Sequence, residues 1–382
     1  MLKQPSREVV VAGVGLHPFG RFPGGSIQSM SRQAVQEALK DAGVGFKDIE
    51  VAYFGQVYYE GMSMGESVLR GLGLTTIPIM NVDNACSSGS SAFWQAFWCI
   101  GMGMFDVALA IGAERVPRGP VGVTGSASPD RLLGSDHMMA SYALGMQRYM
   151  HDYDAPATSI AQVAVKAKQN AVHNPYAQFH KPATIEEVMT SRMIADPLTL
   201  FQCCPTSEGA SAAVLIAKDA LDRFQGQPDR AVSIRGAVLR TSGYQAQGDS
   251  EADSGSVTTL AANQAYEMAG AGPGDMNVIQ VHDAATIGEI TQLEGLQIVG
   301  EGEAWRATQD GRTAINGDIP VNTDGGLQAM GHPFGATGIR QVHELVTQLR
   351  GEAGQRQVSG ARLGIAQNAG AGGVCTVHIF EK

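Results

Sequence analysis

Asn81-Val82-Asp83-Asn84-Ala85-Cys86-Ser87-Ser88-Gly89-Ser90-Ser91-Ala92 sets one cysteine between an apolar run that reads as a strand end and an apolar, aromatic run that reads as a helix. Residues 76–82 have the length and composition of a short strand. Residues 92–104 contain no proline and are dense in large apolar side chains, as a buried helix is. Cys86 is therefore expected at a helix N-terminus, where backbone N–H groups and the positive end of the helix dipole favour a thiolate. A free cysteine is otherwise read as a small buried hydrophobe, which is the assignment for Cys203 and Cys204.

Working outward, this stretch has a counterpart late in the chain. Ala85-Cys86-Ser87-Ser88-Gly89 lies over Gly331-His332-Pro333-Phe334-Gly335, each ahead of a helix, so a histidine occupies the place of the cysteine. A second repeat agrees in order: Ala38, Ala42, Gly43, Gly45, Asp48 and Val51 recur as Ala265, Ala269, Gly270, Gly272, Asp275 and Val278. Each half thus holds a helix ending in Ala-Gly, a tight turn, an aspartate and a strand. Two such halves about a pseudo-twofold axis bring Cys86 and His332 to one central seam.

The first elements are a buried-type strand at 9–14, a helix at 26–42, a strand at 48–55 and a short helix at 63–72. In the first helix Ser26 is placed as N-cap, and Ile27, Met30, Ala34, Val35, Ala38 and Leu39 fall at helical spacing. This is the βαβα alternation of an α/β protein. The expected division is a first part of the N-terminal half at 1–118, an inserted cap at 119–211, the end of that half with a linker at 212–227, and a C-terminal half at 228–382. The insertion opens with a polar loop at 119–134 and continues in helices at 137–150 and 159–172. A strand at 212–217 returns to the first half, and 225–230 is the linker candidate. The second half runs from a strand at 231–239 through a polar stretch at 242–256 to a last strand at 375–380.

Bulk properties narrow the function. Of 382 residues, 48 are glycine, which implies many tight backbone approaches, and the formal net charge of −10 argues against non-specific nucleic-acid binding. No run of Lys and Arg forms a polybasic patch, although Lys166, Lys168 and Lys181 are candidates to hold a phosphate-bearing ligand. The five cysteines show no metal-ligand spacing, so neither a metal site nor a disulfide framework is expected. No apolar window is long enough to span a membrane. Without a leader-like N-terminus, and with Phe380-Glu381-Lys382 at the end, the protein is expected to be cytoplasmic.

Three later motifs sharpen the picture: Val281-His282-Asp283-Ala284-Ala285-Thr286-Ile287, then Gly325-Gly326-Leu327-Gln328-Ala329-Met330-Gly331-His332-Pro333-Phe334-Gly335-Ala336-Thr337-Gly338, and Gln367-Asn368-Ala369-Gly370-Ala371-Gly372-Gly373. The second resembles, nearly letter for letter, the Gly-His-Pro-x-Gly-Ala-Thr-Gly signature of thiolases. Together with Cys86 in Asn-x-x-Cys-x-x-Gly and the segment Pro205-Thr206-Ser207-Glu208-Gly209-Ala210, the resemblance runs through essentially the whole chain. It is closest to the sterol-carrier-protein-2 type, also called lipid-transfer-protein thiolases, without the sterol-carrier domain.

The resemblance implies the five-layer α/β/α/β/α fold of two pseudo-symmetric halves, a homodimer and a coenzyme A thioester as substrate, with no covalently bound cofactor. It implies Cys86 as nucleophile and His332 as its base in an acyltransferase of the acetyl-CoA acetyltransferase class. The backbone N–H groups of Cys86 and Gly370 would hold one oxyanion, and His332 with His282 the other. It also exposes a departure. The family's second acid/base cysteine sits either in the C-terminal glycine loop, where this chain has Asn368, or in a His-Asp-Cys-Phe segment, where it has Ala284. Neither side chain can move a proton as a thiol does, which leaves His282 as the first candidate for that transfer. Two alternatives follow from relatives of the family. One is a retro-aldol carbon–carbon lyase working on side-chain acyl-CoA with a small zinc-ribbon/OB-fold partner; the other is a non-catalytic scaffold subunit that binds acyl-CoA.

Overall fold

The computed structural model describes residues 4–58, 60–73, 76–122, 137–224, 228–243 and 254–382. Most of the polar loop expected at 119–134, residues 225–227 of the linker and most of the polar stretch at 242–256 lie outside them.

The first half contains β1 (Val9–Leu16), α1 (Ile27–Ala42), β2 (Val51–Gly55), α2 (Met64–Arg70), β3 (Ile79–Val82), α3 (Ser88–Gly101) and β4 (Val107–Arg115). An excursion follows through α4 (Met138–Tyr153), α5 (Ala157–Ala171), α6 (Ile185–Thr190) and a small hairpin of β5 (Met193–Ala195) and β6 (Leu198–Thr199). Strand β7 (Glu208–Ala217) then closes the first sheet. The second half contains β8 (Val232–Thr241), α7 (Ser254–Ala269), β9 (Val278–Gln280), α8 (Thr286–Gly295), α9 (Ala304–Gln309), α10 (Phe334–Leu349), β10 (Leu363–Gly370) and β11 (Val374–Glu381).

The internal repeat is visible at atomic detail. Helix α1 ends at Gly43 with φ +67, and the equivalent Gly270 after α7 has φ +65, the left-handed backbone that glycine adopts without penalty. Two residues beyond each glycine the same turn recurs: the Asp48 carboxylate accepts the Gly45 N–H at 2.8 Å, and the Asp275 carboxylate accepts the Gly272 N–H at 2.8 Å. At the other end of α1, Ser26 and Ser29 exchange side-chain and backbone hydrogen bonds as a capping box, of the kind worth about 1 kcal/mol.

Sheet order extends the symmetry. The strands run β3-β2-β4-β7-β1-β8-β11-β10-β9. In the first half β3, β2 and β4 are parallel neighbours, and β7 is antiparallel to both β4 and β1. In the second half β9 and β10 are parallel and β11 is antiparallel to both β10 and β8, while Val321 bridges to Ile279 in the place that β3 takes in the first half. The two sheets are not separate: β1 and β8 pair through Val10 opposite Ser233 and Val11 opposite Val232, which makes one nine-stranded sheet.

Helix α1 covers β1, β7 and β4 on one side; α3 and α10 fill the space between the halves; α7, with α8 beside it, covers β8 and β11 on the far side. This is the five-layer α/β/α/β/α arrangement. Strands β4 and β7, covered on both faces, are buried along almost their whole length, which explains their continuous rather than alternating hydrophobicity. The central helices approach closely because the symmetry-related glycines Gly89 and Gly335 face each other: a Cβ on Gly89 would lie 2.1 Å from the Gly335 carbonyl oxygen. The excursion leans on the second half, with α5 packed against α8, α9 and the wide π-type turn Gly326–Met330.

Trp94 and Trp98 pack against the core of this same chain, and Trp98 Nε1 donates to the Ala237 carbonyl of β8 at 3.2 Å. The proposed lysine cluster is also altered. Lys166 is committed to a buried ion pair with Glu289, and Lys168 is buried with its ammonium over the rings of Phe179 and Phe201. Burial there lowers the Lys168 pKa, so neither lysine is a free phosphate anchor.

Candidate active site

Cys86 lies two residues before α3, on the turn that leaves β3, rather than inside the first helical turn. The helix itself begins at Ser88, four residues earlier than the apolar run indicated. Ala85, immediately before the cysteine, has φ +50, in the left-handed region that a residue with a Cβ occupies at a cost of roughly 1 kcal/mol. At the equivalent place before His332 stands Gly331, with φ +109. Both halves thus set a positive-φ residue just before the side chain at the seam.

The turns bring three reactive groups together. One donor or acceptor atom from each of Cys86, His282 and His332 lies within 4.8 Å of the other two, and all three residues are buried. The rings of His282 and His332 meet edge to face at 5.0 Å between centroids. Among the described residues this is also the cluster with metal-ligand geometry; its soft thiol and two imidazoles equally suit proton transfer to and from sulfur.

Hydrogen bonds define the state of His332. Thr337, one helical turn into α10, donates its hydroxyl proton to the Pro333 carbonyl at 3.0 Å, so its oxygen accepts from His332 Nδ1 at 2.7 Å. Nδ1 therefore carries the hydrogen, and Nε2, buried and without a protein partner, keeps a free lone pair. The His332 backbone N–H is anchored on Ser207 Oγ at 3.0 Å. Burial, reinforced by His282 and Arg340, pushes the His332 pKa well below its ordinary value, so the ring is neutral at rest.

The sulfur is neutral at rest too. Burial, with the Glu114 carboxyl nearby, pushes the Cys86 thiol up to about 12, while its own backbone N–H and that of Ala371 act in the opposite direction. The Ala371 amide is thus the loop N–H directed at the sulfur; Gly370, one residue earlier, permits the approach, since a Cβ there would lie 2.3 Å from the Asn84 carbonyl oxygen. Asn368 does not reach the reacting atoms. Its oxygen accepts from Ser87 Oγ at 3.0 Å and its amide donates to Gln341 at 3.1 Å, so it ties the cysteine turn to α10.

His282 leaves β9 with its backbone N–H held by Gln367 at 3.1 Å, and its Nδ1 has no partner. A core histidine satisfied by Asp283 or a carbonyl is thus not what Nδ1 shows. Burial, with Arg340, lowers His282 to about 3. Several groups here left no local mark in the sequence. Glu114, raised to about 8 by burial, accepts the N–H groups of Val57 and Tyr58 at 2.8 and 3.1 Å. Tyr142 of α4 brings its hydroxyl within reach of charge on Cys86, Cys204 and Asp283. Thr337 alone was legible, by its spacing five residues after His332.

Two pseudo-symmetric α/β halves with a cysteine and a histidine on matching turns define a thiolase. The thiolase N-terminal domain profile matches residues 9–219 and the thiolase C-terminal domain-like profile residues 245–382, and the chain belongs to this family. It is 37% identical over 385 residues to an acetyl-CoA acetyltransferase of Methanothermobacter thermautotrophicus, covering 98% of this chain and 100% of that one. It is 35% identical to sterol carrier protein 2 of Gallus gallus, covering 98% of this chain and 72% of that protein. Among solved structures, the Ltp2-ChsH2(DUF35) aldolase superposes with a TM-score of 0.87 at 25% identity over 99% of both chains. The family supports acyl-CoA acyltransferase activity in general, and no helix among the described residues is long and apolar enough to cross a membrane.

Proposed function

We propose that this protein transfers acyl groups from coenzyme A through a thioester on Cys86. The observation that carries the proposal is the bare His332 Nε2 in one buried cluster with the Cys86 sulfur. Both groups are neutral at rest, so sulfur loses its proton to Nε2 only as it attacks the thioester carbonyl. The resulting oxyanion is met by the backbone N–H groups of Cys86 and of the 370–371 loop, each such donor being worth about 3 kcal/mol in a dry site. Collapse expels the CoA thiolate and leaves the acyl-enzyme. The helices α4, α5 and α6 act as the cap over this site. The exposed edge strand β3, with Met80 39% exposed, suits pairing with a second copy, so a homodimer is expected.

Incubation with short acyl-CoAs followed by intact-mass measurement tests the acylation. One acyl adduct is expected per chain, absent in Cys86→Ala; no adduct with any acyl-CoA would overturn the proposal.

A retro-aldol lyase assembled with a small zinc-ribbon/OB-fold partner is favoured by one separate observation, the structural likeness to an aldolase solved with a DUF35 partner. Release of an aldehyde or ketone that persists in Cys86→Ala would support it over acyl transfer.

A further inference from the structure

The methyl group of Ala284 stands where relatives in the resembling subclass carry a thiol, yet another thiol lies alongside it. The Cys204 backbone N–H donates to the Ala284 carbonyl at 2.9 Å, and Cys203 pairs antiparallel opposite Ala285. Thr286, at the start of α8, adds a hydrogen bond to Gln202 at 3.1 Å, so residues 202–204 run tightly beside 284–286. In that antiparallel pairing Cys204 lies opposite Ala284, so their side chains leave on the same face. In the buried cluster with Cys86, His282 Nδ1 has no protein partner, as expected where a substrate completes the network.

We propose that Cys204 is the second acid/base of this site, moving the α-carbon proton of the acyl-CoA that reacts with the acyl-enzyme. The inference rests on acylation of Cys86. During acylation the Cys86 proton passes to His332 Nε2, and Cys204 gives its own proton to the departing CoA thiolate. The Cys204 thiolate then takes a proton from the α-carbon of the second acyl-CoA: a C–H bond breaks and an S–H bond forms. The electron pair left on carbon attacks the acyl carbonyl; a C–C bond forms and the bond to Cys86 sulfur breaks. The Cys86 thiolate recovers its proton from His332, and both cysteines return to thiols. Cleavage is the same sequence in reverse.

Cys204 suits this work better than His282. The His282 ring packs edge to face on His332, the base already used for Cys86, whereas Cys204 stands opposite Ala284. Burial, together with Cys203, Cys86 and Asp283, raises Cys204 well above the ordinary thiol value, so its thiolate is a strong base.

The test is deuterium uptake at the α-carbon of the short acyl-CoA that labels Cys86, followed in D2O by mass spectrometry with the full chain. Wild type and Cys203→Ala should exchange at similar rates. Cys204→Ala and the shape-conserving Cys204→Ser should lose exchange by about 10²-fold or more, while the Cys86 adduct still forms on long incubation, more slowly for want of the proton donor to CoA. Ala284→Cys in the Cys204→Ala background should restore exchange. Undiminished exchange in either Cys204 variant would overturn the proposal, as would a wild-type enzyme that acylates yet never exchanges. Absence of acylation in wild type would instead overturn the acyl-enzyme itself.

Discussion

The turn before α3 and the turn before α10 hold equivalent places in the two halves and supply opposite ends of one proton transfer. Each passes through a positive-φ residue, Ala85 or Gly331, and leads into a helix whose glycine faces its symmetry mate across the seam. One turn presents an acid, Cys86, and the other a base, His332. What differs is the support around them. The sulfur has backbone N–H groups beside it and a buried carboxyl, Glu114, holding the neighbouring loop. The imidazole has a hydroxyl that fixes its tautomer and a second hydroxyl that fixes its backbone. A repeated backbone therefore becomes a catalytic pair through residues that the repeat does not share.

The largest effect expected from breaking this pair is loss of the sulfur. Cys86→Ala should reduce turnover by about 10⁴-fold or more, as loss of a nucleophile does, while circular dichroism and Tm remain close to wild type. Next is loss of the base: His332→Ala should slow single-turnover acylation by about 10²-fold to 10⁴-fold. The pH profile then separates the partners. His332 is held well below its ordinary value and Cys86 near 12, so wild-type acylation should be nearly flat from pH 6 to 8. In His332→Ala only pre-formed thiolate reacts, and the rate should climb about tenfold per pH unit across that range; a flat profile in the variant would contradict the pairing.

The seam itself is tested by Gly335→Ala. The added Cβ would meet the backbone oxygens of Gly55 and Ala113 at 2.4 and 2.6 Å, and backbone does not yield cheaply. A loss of about 3 kcal/mol or more is expected in chemical denaturation, at the upper end of overpacking costs. Thr337→Val should be milder, slowing acylation up to about tenfold and costing about 1–3 kcal/mol, because Nδ1 loses its acceptor. The smallest effect makes the halves more alike: Ala85→Gly should raise stability by up to about 1 kcal/mol without slowing acylation, since it supplies the glycine that the other half already has.

Much of this was legible beforehand. The Ala-Gly-x-Gly-x-x-Asp pattern marks both helix ends because a left-handed cap demands glycine and a short turn rewards an aspartate, and both demands are local. Cys86 and His332 were legible by their place in the repeat. Asn368 was a different matter: its motif position was clear, but its hydrogen bonds to Ser87 and Gln341 join three distant segments. Lys166 looked free in sequence because its partner, Glu289, lies far along the chain.

By itself, the sequence determined the two-fold repeat, the strand–turn–helix units and the chemical identity of the pair at the seam, since each depends on contacts a few residues apart. Only the tertiary structure decided which backbone N–H faces the sulfur, which nitrogen of His332 is bare, and that Cys204 lies beside Ala284. The first and last depend on how segments eighty or more residues apart are brought into register across a buried interface, where a shift of one residue changes which group meets which; the second depends on what that packing leaves beside Nε2.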